Sequence, residues 1–327
     1  MTKVLITGAG GYIGSNVAEY FVQHGFEVTG MVHRKIVPRF AETQAEAIHA
    51  DLCDFSSLDR LFENHDYEYV IHIAARASDV GRREWFRIQN FEAAKYLATL
   101  SMKHDVKRFV YMSTSDVYGL RDFHGETEEE LSRGTDIRNY YPLFKVYTEE
   151  WIEKNLSAGR WAFVRPFIAW GNGDTSITPR VIGFLKSSPY AIHFGKWKGK
   201  NRCALAHVRN ISAATHAAML LPEMAGGAVH VLDPEFTSWS DYYRMIHDRF
   251  LPEKPYREMS LPTWTIRPWA KVISAVSTLL GLYVPFSDPS DYALDTMIRN
   301  IDVSSEKMCR LIEAVGESVL HTPDGEF

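Results

Sequence analysis

Three glycines, at positions 8, 11 and 14 of the stretch TGAGGYIG (Thr7–Gly14), constrain this chain more than any other feature. They follow an apolar run, Val4–Thr7, that reads as a strand. They open a helical pattern, Tyr12–His24, in which Ile13, Val17 and Phe21 recur every four residues. Gly25 then stands where a helix commonly ends in a left-handed residue. A strand that turns on glycine into a helix leaves helix N–H groups and partial positive charge free at the turn, the setting for a dinucleotide pyrophosphate. Gly8 permits the tight turn, Gly11 lets backbone approach the phosphates, and Gly14 lets helix and strand pack closely. Gly8, Gly11, Tyr12, Ile13 and Gly14 are therefore candidate cofactor contacts.

The pattern repeats along the first half. Phe26–Val32, Tyr69–Ala74, Phe109–Ser113 and Trp161–Arg165 read as further strands, with helical patterns at Phe55–Asn64 and Trp85–His104 between them. Such alternation predicts an α/β fold, a Rossmann-type doubly wound parallel sheet with right-handed crossovers. After Trp170 the texture changes: Gly171–Arg202 mixes Gly, Pro, aromatics and Lys with weak periodicity. Strands at Ala204–Val208 and Ala228–Leu232 flank a helix at Asn210–Leu221, and a last helix is expected near Ser304–Val315. The expected division is a dinucleotide-binding domain, residues 1–170 plus about 204–234, and a smaller, discontinuous C-terminal substrate domain, about 171–203 plus 235–327. The acidic run Glu126–Glu130 reads as a solvated loop or helix start.

Composition narrows the function classes. With 36 basic and 41 acidic residues the net charge is −5, and no basic run invites a polyanion, so nucleic acid is excluded as a leading partner. Cys53, Cys203 and Cys309 are far apart and odd in number, which suits a reducing compartment and gives no metal-ligand spacing. No metal site is expected, and His207 reads as a satisfied core histidine. The N-terminus has no room for a secretory leader, and the longest apolar stretch, Val272–Phe286, is too short to span a bilayer. The expectation is a cytoplasmic protein with no integral membrane span.

At the end of the second strand an NAD enzyme usually carries a carboxylate for the ribose hydroxyl. Here stand His33, Arg34 and Lys35, cations where a 2′-phosphate would sit, so NADP is favoured and NAD stays possible. TGAGGYIG, then ADLCD with Asp51 and Leu52, then VIHIAA ending in Ala74 and Ala75, resembles in order and spacing the extended short-chain dehydrogenase/reductase superfamily, the NAD-dependent epimerase/dehydratase family. The resemblance implies that Asp51 hydrogen-bonds the adenine, Leu52 packs beside it, and Ala74–Ala75 passes the nicotinamide ribose. It also implies Asn90 at the cofactor, Pro166 and Phe167 against the nicotinamide, and a homodimer paired through Trp85–His104 and Tyr141–Asn155.

The chemical end is YMSTSDVYG (Tyr111–Gly119) followed by YPLFK, which puts Tyr141 and Lys145 on one side of a helix. Making a tyrosine an acid/base near pH 7 takes about 3 pKa units, roughly 4 kcal/mol, which a neighbouring ammonium and a nicotinamide cation can supply. Tyr141 is the candidate general acid/base, and Lys145 is to lower its pKa and hold the nicotinamide ribose. The family resemblance puts the catalytic hydroxyl at Thr114, with Ser113 as second choice and as a cofactor contact. Glu149, one turn beyond Lys145, reads as structural.

Three departures from the nucleotide-sugar enzymes set the expected reaction. Ile168 replaces a diphosphate-binding Asn, Thr114-Ser115-Asp116 replaces Thr-Asp-Glu, and Arg202 is one residue out of register. RPFIAWGNGD and HVRNISAATHAAML are nearer to the 3β-hydroxysteroid dehydrogenase-like and reductase branch. The expectation is hydride transfer between NADP(H) and a ketone/secondary alcohol of a bulky or apolar small molecule. The alternatives are a nucleotide-sugar 4-epimerase or dehydratase with tightly bound NAD, and a non-enzymatic dinucleotide-sensing protein. Six of the eight tryptophans lie after residue 160, where they line an apolar pocket or fill a core. Ile266–Phe286 reads first as an internal helix of the substrate domain and second as a membrane-surface segment.

Overall fold

The computed structural model describes residues 1–33, 36–63, 65–281, 290–322 and 326–327. Its centre is a seven-stranded sheet: β1 (Lys3–Thr7), β2 (Glu27–Val32), β3 (Glu46–His49), β4 (Tyr69–His72), β5 (Arg108–Met112), β6 (Trp161–Pro166) and β7 (Gly227–Val231). The spatial order is β7-β6-β5-β4-β1-β2-β3, and every pairing is parallel. Chain direction through the sheet reverses between β1 and β4, which opens a crevice beyond their carboxyl ends. The register brings those ends level: Thr7 lies between Met31 and His72, His72 beside Tyr111, and Met112 beside Val164.

Both faces of the sheet are covered, as apolar strands of a parallel sheet require. On one face Val17 and Phe21 of the helix Tyr12–Gln23 pack with Ile211, Ala214 and Ala218 of the helix Val208–Leu220. On the other, Leu58, Leu61, Leu97 and Ile152 close over Leu5, Val70 and Phe109. A third core holds Trp170, Val181, Leu185, Trp239, Tyr242 and Ile246 beside the sheet, and the Trp170 indole donates to Asp233 at 2.6 Å. Among the described residues no helix is long and apolar enough to cross a membrane.

Several boundaries differ from expectation for identifiable reasons. β4 stops at His72, short of Ala74, because the Ile73 and Ala74 N–H groups donate to Thr7 Oγ1 (both 3.1 Å) instead of continuing the ladder. The single helix expected at Trp85–His104 is an α-turn, Arg83–Phe86, a π-helical turn, Arg87–Glu92, and an α-helix, Ala93–Lys103. β3, not anticipated, is a short edge strand with mostly exposed side chains and no alternating apolar pattern. The expected strand at Ala204–Val208 is Leu205–His207, and it pairs with Ile168–Trp170 outside the main sheet. The acidic run is not wholly solvated: Glu128 is buried, and its Oε1 accepts from the His230 N–H at 2.9 Å. The tryptophans divide, with Trp170 and Trp239 in the third core and Trp264 and Trp269 exposed. The helix Arg267–Leu280 is not internal, since Trp269, Val272, Val276, Leu279 and Leu280 face solvent.

Candidate active site

The glycine turn is built for close approach. Gly8 has φ +75°, and a Cβ there would meet Ala74 backbone at 2.9 Å. A Cβ on Gly14 would stand 2.1 Å from the Gly8 carbonyl oxygen, so helix and strand pack here only without a side chain. Gly11 begins the helix in extended conformation, and no side chain caps it. Uncapped first-turn amides over a cradle that a Cβ would fill suit a pyrophosphate. Thr7 locks the turn: its hydroxyl takes the two N–H groups after β4 and meets His72 Nδ1 at 2.7 Å. Burial, with the Lys145 charge adding to it, pushes the His72 imidazole down to about 3, so it stays neutral.

The other expected cofactor residues fall around the same crevice in different roles. Asp51 accepts from the Cys53 N–H at 2.8 Å and pairs with His33 Nε2 at 3.1 Å. The Cys53 hydrogen bond first, and His33 after it, hold the Asp51 carboxyl below its ordinary value against a smaller effect of burial. Leu52 packs on the core beneath the sheet, as Ile13 does on the opposite face. The Tyr12 ring approaches Gly173. Burial first, then the charge of Asp174, drives its hydroxyl pKa strongly upward. Arg34, on which the expected 2′-phosphate contact rests together with Lys35, lies outside the described residues.

Asn90 sits on the π-helical turn, buried, with Oδ1 accepting from the Arg76 N–H (2.7 Å) and Nδ2 donating to the Arg76 carbonyl (3.0 Å). It thereby fixes the segment that follows Ala75. Thr148 donates to the Asn90 carbonyl at 3.1 Å and ties this turn to the helix carrying Tyr141 and Lys145.

That helix, Tyr140–Asn155, is capped by Asn139, whose Oδ1 accepts from the Tyr141 N–H at 2.8 Å. Lys145 is fully buried, donates to the Met112 carbonyl at 2.6 Å, and lies 5.8 Å from the centre of the Tyr141 ring. Burial pushes its ammonium down to about 7, against a smaller upward pull from Glu149. Burial first, then the Asp116 carboxylate, push the Tyr141 pKa up, with a smaller downward pull from Thr114.

Strand alternation separates the two candidate hydroxyls. Ser113 lies against the buried Glu149 carboxylate, while Thr114 donates to Asp116 Oδ2 at 3.2 Å on the Tyr141 side. Glu149 is structural. Arg165 grips it through Nε (2.9 Å) and Nη2 (2.7 Å), and Arg133 adds a third bond at 2.6 Å. Burial works against its charge, but these guanidinium groups outweigh it and hold the carboxyl below its ordinary value. Pro166 ends β6, and the Phe167 ring packs edge-on to His230, 5.8 Å between centres.

Two features were not anticipated. Asp116 is half-buried, and loss of water around its carboxyl raises it above its ordinary value. Its partner is Tyr292, whose hydroxyl donates to Asp116 Oδ2 from the short helix Asp291–Met297. Ser290, the cap of that helix, donates to Asp79 at 2.9 Å, and Arg180 binds the same carboxylate at 2.8 Å. The C-terminal segment thus reaches Asp116 through Tyr292 and the stretch after β4 through Asp79. No motif surrounds Tyr292 in the sequence to announce this.

Arg202 also has a definite fate. Nη1 pairs with Asp302 at 2.7 Å, and Nη2 donates to the carbonyls of Asp233, Pro234 and Glu235 (2.9, 3.2 and 3.1 Å). His207 caps its helix by accepting from the Arg209 N–H at 3.2 Å, and its Nε2 meets the Glu326 carbonyl at 3.2 Å.

The strand–glycine–helix turn and Thr114, Tyr141 and Lys145 all lie within residues 4–231, which the model of the NAD dependent epimerase/dehydratase family matches. The chain belongs to that family. Among curated family relatives, the 2-alkyl-3-oxoalkanoate reductase of Shewanella oneidensis is 25% identical over 56% of this chain and 48% of its own length. The UDP-glucose 4-epimerase of Halalkalibacterium halodurans is 32% identical over 36% of each chain. The chain spans about half or less of the length of the curated relatives it matches. The fold of the epimerase Mth375 from Methanothermobacter thermautotrophicus is similar throughout, with a TM-score of 0.76 at 20% identity over 99% of this chain and 89% of that one. This family member therefore has the expected extended short-chain dehydrogenase/reductase architecture.

Proposed function

We propose that the chain is an NAD(P)-dependent oxidoreductase acting on the ketone or secondary alcohol of a bulky or apolar small molecule. The supporting observation is the Thr114–Asp116–Tyr141 cluster, beyond the carboxyl end of β5 and next to the buried Lys145. Gly8, Gly11, Tyr12, Ile13 and Gly14 would hold the pyrophosphate, Asp51 and Leu52 the adenine, and Ala74, Ala75 and Lys145 the nicotinamide ribose. When bound, the nicotinamide supplies or accepts the hydride. Thr114 orients the substrate oxygen by hydrogen bonding. Tyr141 would exchange a proton with the substrate oxygen, giving it to the carbonyl in reduction and taking it from the alcohol in oxidation. Residues 171–203 plus 235–327 form the substrate-facing part. NADP is the favoured cofactor, on the absence of a carboxylate among His33, Arg34 and Lys35. The protein would act as a homodimer in the cytoplasm.

The reductase reading is preferred over a nucleotide-sugar reaction because both terminal nitrogens of Arg202 are engaged, by Asp302 and four carbonyls, and Ile168 offers a diphosphate nothing. The test is net oxidation of NADPH or NADH with a panel of apolar ketones. Sustained oxidation that falls about 100-fold or more in Tyr141→Phe supports the proposal. No net turnover, with tightly retained NAD and binding of a uridine diphosphate sugar, replaces it with the 4-epimerase. Cofactor binding without turnover of either kind leaves a dinucleotide sensor.

A further inference from the structure

The helix Arg267–Leu280 and the turn before it, Thr263–Thr265, carry an apolar face that is exposed among the described residues. Trp269, Val272, Val276 and Leu279 follow one another at three- and four-residue spacing, so they form one stripe, which Leu280 widens. Trp264 is 76% exposed, Trp269 65% and Leu279 77%, where large apolar side chains of this kind are ordinarily packed. The opposite face is anchored: Ala270 and Ser277 are buried, and Arg267 pairs with Asp291 (3.1 Å) and Asp295 (2.7 Å). The stripe is therefore held outward by fixed contacts.

Charge decides what fits it. From Thr263 to Gly281 there is no Asp or Glu, while Lys271 projects from the helix. At the far end Arg82 brings its Nε to 3.6 Å from where a Cβ on Gly281 would stand, and Trp85 lies against the same glycine. An apolar stripe with tryptophans at one end and cations along its margin suits the boundary of a lipid leaflet, with the rings at headgroup depth and the cations facing anionic headgroups. The same stretch of a second copy would offer Lys271 no carboxylate, since Thr263–Gly281 contains none.

We infer that Thr263–Leu280 is a docking surface for an anionic lipid bilayer, on which the protein rests without spanning it. The same helix is tied through Arg267 to Asp291–Met297, whose Tyr292 covers Asp116, so the docked face is the outer side of the cover over the candidate site. The surface does not depend on the proposed reaction, and its test uses no turnover.

Purified full-length protein is sedimented with phosphatidylcholine vesicles, with and without phosphatidylglycerol. The expected result is binding that needs phosphatidylglycerol and weakens as salt rises. It should fall about tenfold or more in V276D/L279D and to a smaller degree in K271E. Both Val276 and Leu279 are exposed, so the double variant should keep the wild-type thermal unfolding midpoint. Failure to bind either vesicle overturns the inference, as does binding that V276D/L279D leaves unchanged. A concentration-dependent dimer in light scattering that this variant abolishes assigns the face to a second copy and also overturns it.

Discussion

The two walls of the candidate site are encoded at different ranges. At the cofactor wall, Gly8, Gly11 and Gly14 lie within one strand–turn–helix unit, and the most intimate contact there joins Gly14 to Gly8. At the covering wall, Tyr292 reaches Asp116 across 176 residues, and Ser290 reaches Asp79 across 211. A local wall can be read as a motif because its geometry permits few residue types. A wall made of distant contacts leaves only ordinary serines, tyrosines and aspartates in the sequence.

Substitutions at the two walls should separate accordingly. Where they meet, Tyr141→Phe should cost two to four orders of magnitude in turnover. Thr114→Ala should cost about 100-fold. Ser113→Ala should stay within a few-fold, because Ser113 faces Glu149. Equal losses for Thr114→Ala and Ser113→Ala in steady-state kinetics would break the assignment of the two strand faces.

Gly14→Ala tests the local wall. Its methyl group has no room beside the Gly8 carbonyl, so denaturant unfolding should report a loss of about 1–3 kcal/mol. Calorimetric titration of the dinucleotide should show weakened affinity alongside it.

Tyr292→Phe tests the distant wall. It removes one hydrogen bond to a half-buried carboxylate, so kcat/KM should change by about 5–10-fold, with dinucleotide affinity unchanged. A loss as large as that of Tyr141→Phe would make Tyr292 part of the chemistry and erase the distinction between wall and cover.

The smallest effect concerns pH. The unfolded chain holds the Lys145 proton up to its ordinary value of 10.5, whereas the folded chain gives it up near 7. Between those values the unfolded state binds more protons, so this group's contribution to stability rises with pH above 7 and is lost as pH falls through it. Lys145→Met should flatten that rise in unfolding midpoints measured from pH 7 to 10.

Legibility followed the same division. The parallel sheet was readable because its strands are apolar on both faces and each is followed by a helix of regular period. β3 was not, since an exposed edge strand of four residues has no core to write a pattern. Tyr141 and Lys145 were singled out by spacing and Thr114 by resemblance, and the structure brings the three side chains near one another beyond the end of β5. The upward shift of Tyr141 was not readable, because the spacing of Tyr141 and Lys145 reveals neither its burial nor the nearby Asp116 carboxylate. Neither the π-helical turn at Asn90 nor the outward stripe of Arg267–Leu280 follows from periodicity, which gives a helix an apolar side without saying what meets it.

By itself, the sequence determined the strand–glycine–helix unit, the parallel alternation and the Tyr141/Lys145 pair, because steric limits at glycine and the 2.0 and 3.6 periodicities act over a few residues. Tertiary structure alone decided which hydroxyl faces Tyr141, where the Arg202 guanidinium is used, and that Tyr292 closes over Asp116. Those outcomes depend on desolvation and on partners brought from far along the chain, and both exist only once the chain has packed.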